Sequence, residues 1–392
     1  MRVDNPSPQQ LAPYYAVLDR RAARSGDPVF IKYLNLGTHT VRLVNYSQEF
    51  TPHIEKQLAY VLRDGADHYD ATLVVWHEGE IDTFVREMGV SFEHWNPLLL
   101  RVQKLAAKSA AVPFSEKDLW IFDSGYSRFH ALVSVDTRAR IISAHNPANN
   151  TYYYGVENLD PEEFIKQGHI FIQFFNKILK SPSSALVHGA AVGIDGKGVL
   201  FCARGQRGKS TLAVRAMLDG FDYVSDDYLV LGKEADGLYA WPIYSIITLS
   251  PMMYGDLYKT FDGKFVSNNV RKDKYVFNIE KYHSRFVSHY PISLCMYTQI
   301  VSDPDPRVVA CTAMGKGRAV TQLIHSTISQ MGDKHDITGI KKLIDFVNPF
   351  PFYQINLCRD IDKNLRCLRE FLETGKCEQQ QNTAGMLRSR AV

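Results

Sequence analysis

Cysteine is scarce and unpatterned in this 392-residue sequence: the six residues Cys202, Cys295, Cys311, Cys358, Cys367 and Cys377 form no C-x-x-C pair and no Cys/His cluster. That scatter argues against a disulfide framework and a thiolate zinc site, and leaves reduced thiols used mostly for packing. An excess of charge of one sign is also lacking. Lys plus Arg number 45 against 42 for Asp plus Glu, a net +3, which gives no electrostatic reason to expect nucleic acid or a membrane surface as a partner. Apolar stretches are interrupted by charges well before membrane-spanning length, and the start MRVDNPSPQQLAPYY has neither the basic opening nor the apolar run of a secretory signal. A cytoplasmic protein is expected. The sequons at Asn45 and Asn149 are read as chance matches, and there is no internal repeat. What is present is an ordinary soluble composition, 45% hydrophobic and 22% charged, in a chain long enough for two globular domains.

The first part of the chain is rich in strand signals. Residues 29–46 (VFIKYLNLGTHTVRLVNY) hold two β-branched and aromatic runs parted by Leu-Gly-Thr, which predicts a hairpin or two adjacent strands. ATLVVWH at 71 predicts another strand, while 50–63 and 80–105 carry helical spacing. LWIFDSG at 119, FHALVSVDT at 129, RIISAHN at 140 and TYYYGV at 151 are short and closely connected, which favours an antiparallel sheet. A helix is predicted over 160–180, with Asp160 as cap, Pro161 at its first position and Glu163 completing a capping box. It ends in Ser181-Pro182-Ser183-Ser184, taken as the boundary between a β-rich domain over 1–180 and a second domain over 181–375. The polar tail 376–392 is expected to be disordered.

In the second domain a strand from 185, a turn at Asp195-Gly196-Lys197-Gly198 and the apolar strand Val199–Cys202 lead into a loop and a helix over 208–218. Strand-like runs follow at 228, 246, 294 and 352, and helices near 319–331, 336–347 and 360–374, the last closed by Gly375. The loop is Ala203-Arg204-Gly205-Gln206-Arg207-Gly208-Lys209-Ser210-Thr211. A strand, a glycine-bearing loop and a helix start are what a phosphate needs: inward backbone amides, a partial positive charge at the helix N-terminus, a lysine for β- and γ-phosphate oxygens and a serine hydroxyl for Mg²⁺. The standard pattern has glycine where Ala203 stands; here the glycine is at 205, a shift expected to alter the loop's path. Further on, Tyr223-Val224-Ser225-Asp226-Asp227-Tyr228 ends an apolar run in two acids. One can hold Mg²⁺ and the other accept a proton from an attacking hydroxyl, provided the strand has ended before them, since successive strand side chains face opposite ways. His188, in Leu186-Val187-His188-Gly189, would by itself read as a packed core residue; its order with the loop and the acids makes it a site candidate.

The string LVHGAAVGIDGKGVLFCARGQRGKSTLAVRAMLDGFDYVSDDYLVL resembles the catalytic domain of the HPr serine kinase/phosphorylase family and its relatives, including kinases of peptide-modification gene clusters. The resemblance is strong over 185–231 and thinner to about 375, through WPIYSIITLS, RKDKYVFNI and PFPFYQINL. It implies an α/β (mixed α+β) fold of the phosphoenolpyruvate-carboxykinase-like nucleotide-binding kind. It also implies an ATP- and Mg²⁺-dependent phosphotransferase. By position, Gly205, Gln206, Arg207, Gly208, Lys209, Ser210 and Thr211 would bind the nucleotide, Ser210 and Asp226 the metal, and Asp227, Asp226 and His188 would act in catalysis, with Lys274 or its neighbour Lys272 reaching the transferring phosphate. Asp227 is assigned as base and Asp226 as metal partner, the reverse remaining open.

The chain has no counterpart of the loop with which HPr kinases grip their carrier, and residues 1–180 do not look like their N-terminal domain, so HPr itself is not the expected acceptor. The expected partner is a protein or peptide bearing a Ser or Thr hydroxyl, bound with help from the N-terminal domain. A nucleotide-binding scaffold without transfer activity and a small-molecule kinase stay open as alternatives, as does a homo-oligomer.

Overall fold

The structure, a computed structural model, describes residues 8–79, 119–122, 133–136, 141–157, 169–179, 181–249, 263–266, 274–278, 284–301, 310–331 and 337–376. It has the expected mixed α/β character, in two compact units, Met1–Ile178 and Leu179–Val392. Among the described residues no helix is long and apolar enough to cross a membrane.

The described part of the first unit begins with a helix in a stretch for which the sequence reading assigned no element: α1 (Pro8–Arg24) buries Tyr15, Leu18 and Ala22, an i, i+3, i+7 stripe obscured in sequence by Pro8 and Pro13. The predicted hairpin is β1 (Phe30–Asn35) and β2 (Thr40–Asn45), paired antiparallel. After α2 (Thr51–Leu58) come β3 (Leu62–Arg63), β4 (Ala71–His77), β5 (Leu119–Phe122), β6 (Val133–Asp136), β7 (Ile141–Asn146), β8 (Thr151–Val156) and α3 (Ile172–Ile178). The eight strands form one sheet in the order β3-β1-β2-β4-β8-β7-β6-β5. The antiparallel pairing expected of the four runs from 119 to 156 holds from β5 to β8, and the sheet continues beyond them with β4 parallel to both β2 and β8. Closely spaced runs predict hairpins only between sequence neighbours; the partners of β4 are reached by longer connections, as parallel pairing requires. Arg21 and Glu78 form a buried ion pair in this unit, and Trp76 Nε1 donates to Glu78 Oε2 at 3.1 Å. The predicted cap and first turn at Asp160 and Pro161, the helical stretch 80–105 and the tail beyond 376 lie outside the described residues.

The second unit contains β9 (Ser184–His188), β10 (Ala190–Ile194), β11 (Lys197–Cys202), α4 (Lys209–Leu218), β12 (Asp222–Ser225), β13 (Tyr228–Lys233) and β14 (Leu238–Pro242). It continues with β15 (Ile246–Leu249), β16 (Gly263–Val266), β17 (Lys274–Asn278), β18 (Tyr290–Ile300) and β19 (Cys311–Ala313), then α5 (Lys316–Met331), α6 (Ile337–Val347), β20 (Phe352–Leu357) and α7 (Ile361–Thr374). The main sheet of nine strands runs β12-β10-β11-β18-β14-β13-β9, with β20 beside β18 and β19 beside β20. Only β11–β18 and β18–β20 are parallel in it. The eleven-residue β18 serves two neighbourhoods: Tyr290 and Pro291 pair with β14, while Leu294 to Tyr297 pair with β11. β15, β17 and β16 form a separate antiparallel sheet of three strands. Val187, Leu200, Val224, Leu229, Leu323 and Phe346 are among the residues of the unit's apolar core.

The single strand predicted from 185 into the turn is two strands broken at Gly189. β9 pairs with β13 whereas β10 pairs with β12 and β11. A Cβ at Gly189 would lie 2.9 Å from Phe201 O, so the chain turns this corner only because the position carries no side chain. The corner brings the end of β9 against the junction between β12 and β13.

Candidate functional site

β11 is buried from Gly198 to Cys202 and delivers the loop at the end of a strand that runs parallel to its neighbour β18, the edge where open α/β sheets bind ligands. Burial pushes the Cys202 thiol up to about 12, which makes it the inert packing residue that its sequence context suggested. Arg204 to Arg207 are exposed. The loop turns left-handed at Gln206 (φ 65°) and at Gly208 (φ 88°). Gly205, the displaced glycine of the sequence, is not one of these positions and has open space where a Cβ would stand.

Gly208, which has no side chain to cap with, is the N-cap of α4. The first-turn amides of a helix have no partner within it, and with the helix dipole they favour a nearby anion. Lys209 is 5% exposed and its Nζ donates to Ala203 O at 2.8 Å, within the same loop. Ser210 Oγ donates to Asp226 O at 3.1 Å. Thr211 follows, half-buried.

Asp226 and Asp227 lie between β12 and β13, past the end of the strand, so their side chains are released from strict alternation. Asp227 O accepts from Gly189 N at 2.8 Å, the backbone lock of the corner. Its side chain, 17% exposed, places Oδ1 2.9 Å from His188 Nε2. The other ring nitrogen, Nδ1, is 2.7 Å from Ser326 Oγ on α5, and His188 N donates to Thr327 Oγ1 at 3.4 Å. With both nitrogens engaged, the imidazole plane is fixed. Asp226 is 3% exposed. Burial and the adjacent Asp226 and Asp227 carboxylates hold the Tyr223 phenol well above its ordinary value, so it stays protonated beside the acids.

The structure thus brings His188, Lys209, Ser210, Asp226 and Asp227 to one place. Lys274 opens β17 in the three-stranded sheet; its side chain, and the whole of Lys272, lie outside what is described. Sequence reasoning missed Ser326 and Thr327, which no motif marks. The available signal was periodic: Ala319, Leu323 and Ser326 follow one another at helical spacing on α5, and a polar residue continuing an apolar stripe is one that needs a buried partner.

Among the described residues there is no group of three or more His, Cys, Asp or Glu side chains able to cage a metal. Mg²⁺ at a phosphate needs less, one or two hard oxygen ligands beside phosphate and water oxygens. Ser210 Oγ lies 3.1 Å from the backbone oxygen of Asp226, so a hydroxyl and a residue that bears a carboxylate are neighbours at the helix start, and both are the hard-oxygen types that Mg²⁺ takes.

No family model matches the chain, and no curated protein matches it. Among solved structures, the HPr(Ser) kinase/phosphatase from Coxiella burnetii is similar at 16% identity and a TM-score of 0.28, covering 52% of this chain and 96% of that one.

Proposed function

We propose that the chain is an ATP- and Mg²⁺-dependent kinase that moves the γ-phosphoryl group to the hydroxyl of a Ser or Thr in a protein or peptide. The observation that carries this reading is the Asp227–His188 contact at 2.9 Å on the corner beside an anion-binding helix start. Phosphoryl transfer asks a protein chiefly for positioning and charge stabilisation, and each part has a candidate. The loop amides and Lys209 would hold the β- and γ-phosphates. Ser210 and Asp226 would hold Mg²⁺, which when bound neutralises charge on those oxygens. Asp227, oriented by His188, would take the proton from the attacking hydroxyl as its oxygen bonds to phosphorus and the bond to ADP breaks. The first unit is assigned to acceptor binding.

Incubation with MgATP and Ser/Thr peptides, followed by mass spectrometry, should find a phosphate mass on the acceptor that Asp227→Asn lowers by at least about 10²-fold and Lys209→Ala abolishes. Phosphorylation that is undiminished in both variants, or absent from the unaltered chain across a broad peptide library, would overturn the assignment to a protein kinase. ATP binding without transfer to any hydroxyl would favour a nucleotide-binding scaffold.

A further inference from the structure

The buried oxygen Ala203 O accepts from two side chains at once: Lys209 Nζ at 2.8 Å and Ser326 Oγ at 2.6 Å. Ala203 is fully buried. Ser326 is also fully buried and has one hydroxyl proton to give. Its contact with Ala203 O is the shortest of three, against 2.7 Å to His188 Nδ1 and 3.2 Å to His188 O; the hydroxyl proton is assigned to Ala203 O, with the hydrogen of the Nδ1 contact carried by the ring. Its remaining lone pairs face His188 Nδ1 at 2.7 Å.

For the loop to bind a nucleoside triphosphate, the lysine must exchange a carbonyl oxygen for phosphate oxygens. A buried carbonyl left with no donor costs free energy that would be subtracted from ligand binding. We propose that Ser326 is a positioning residue for the phosphate-loop lysine: its hydroxyl keeps Ala203 O hydrogen-bonded when Lys209 leaves for a phosphate, so that the lysine is released at little cost. The same hydroxyl ties the loop to the ring of His188, through which the loop and the Asp227 corner are held by one side chain. The inference rests on the reading of 203–211 as a triphosphate site and adds a residue from α5, far away in sequence, that no motif names.

The test is MgATP affinity by titration calorimetry on the full chain, in a double-mutant cycle. Ser326→Ala should weaken binding about tenfold, the cost of one unsatisfied buried acceptor. In a Lys209→Ala background, where no lysine has to leave Ala203 O, the same change should alter the remaining affinity by less than about twofold, the ordinary error of additivity. Ser326→Thr, which keeps the hydroxyl, should stay near the unaltered affinity. A purely structural role would weaken binding equally in both backgrounds, and that outcome overturns the proposal, as does an unchanged affinity in Ser326→Ala. If Ser326→Ala fails to fold, Ser326→Cys, nearly isosteric with a weak donor, takes its place in the cycle with the same two outcomes. An unaltered chain that binds no MgATP would instead remove the triphosphate reading itself, and the inference with it.

Discussion

At Gly208 two independent constraints coincide. The backbone is left-handed (φ 88°), and a Cβ built there would meet Leu357 Cδ1 at 2.6 Å, with Ile300 Cγ1 next at 3.7 Å. A left-handed L-residue costs about 1–2 kcal/mol before any clash, and the clash must be relieved by moving a buried leucine. Gln206 meets only the first constraint: it is left-handed at φ 65° but exposed. Gly208→Ala should therefore destabilise the second unit by about 2 kcal/mol or more and weaken MgATP binding at least tenfold by displacing the first-turn amides. Gln206→Gly should leave stability unchanged or raise it by up to about 1 kcal/mol, the relief of strain partly offset by the added freedom of the unfolded chain. Urea unfolding and calorimetric binding on both variants check this. Equal effects at the two positions would mean that the contact with Leu357 is not what sets the loop's path.

Among elements, α7 is the one whose sequence, ends and packing agree best. Asp360 Oδ1 accepts from Lys363 N at 3.1 Å, Gly375 closes the helix left-handed at φ 73°, and Leu365, Leu368 and Phe371 are buried. Asp360→Ala should cost about 1 kcal/mol and Asp360→Asn only a few tenths, read as the shift in the urea midpoint of the second unit; equal losses would assign the effect to charge and not to the cap. This helix was legible because every signal it uses is local: cap, period and glycine stop lie within one window. The same is true of β1, β2, β13, β20 and the start of α4. What was not legible is non-local. The break at Gly189 depends on the approach of Phe201 O across the β10–β11 hairpin, a contact that the residue types do not mark, and the parallel neighbours of β4 come from the far ends of long connections. In the site, His188, Lys209, Ser210, Asp226 and Asp227 could be named because a strand, a loop and an acidic pair lie close along the chain. Ser326 and Thr327 reach His188 from 138 and 139 residues away, and a serine in a helix carries no local mark of its target. α1 was lost for a third reason, since its two prolines weaken the local helix signal while burial of Tyr15 and Leu18 sustains the element.

At the scale of the molecule, every side chain assigned to phosphate, metal or proton belongs to the second unit, Leu179–Val392. A ligand that binds only the folded state stabilises what it contacts by mass action, about 2.7 kcal/mol when present at a hundredfold excess over its Kd. Hydrogen exchange with saturating MgATP should therefore slow in peptides covering 186–189, 203–211, 225–228 and 323–327, since these segments are joined through Ser326, Ala203 and the Asp227 corner. The strands β1 to β8 supply none of those contacts, so their exchange should be unchanged by nucleotide alone. Lys209→Ala should erase the slowing at 203–211. If instead the nucleotide protects β1–β8 first, phosphate is being bound elsewhere, and the loop after β11 is a turn with basic surface residues. If protection appears at 203–211 but stops short of 323–327, the loop binds phosphate without the α5 link, and Ser326 serves packing alone.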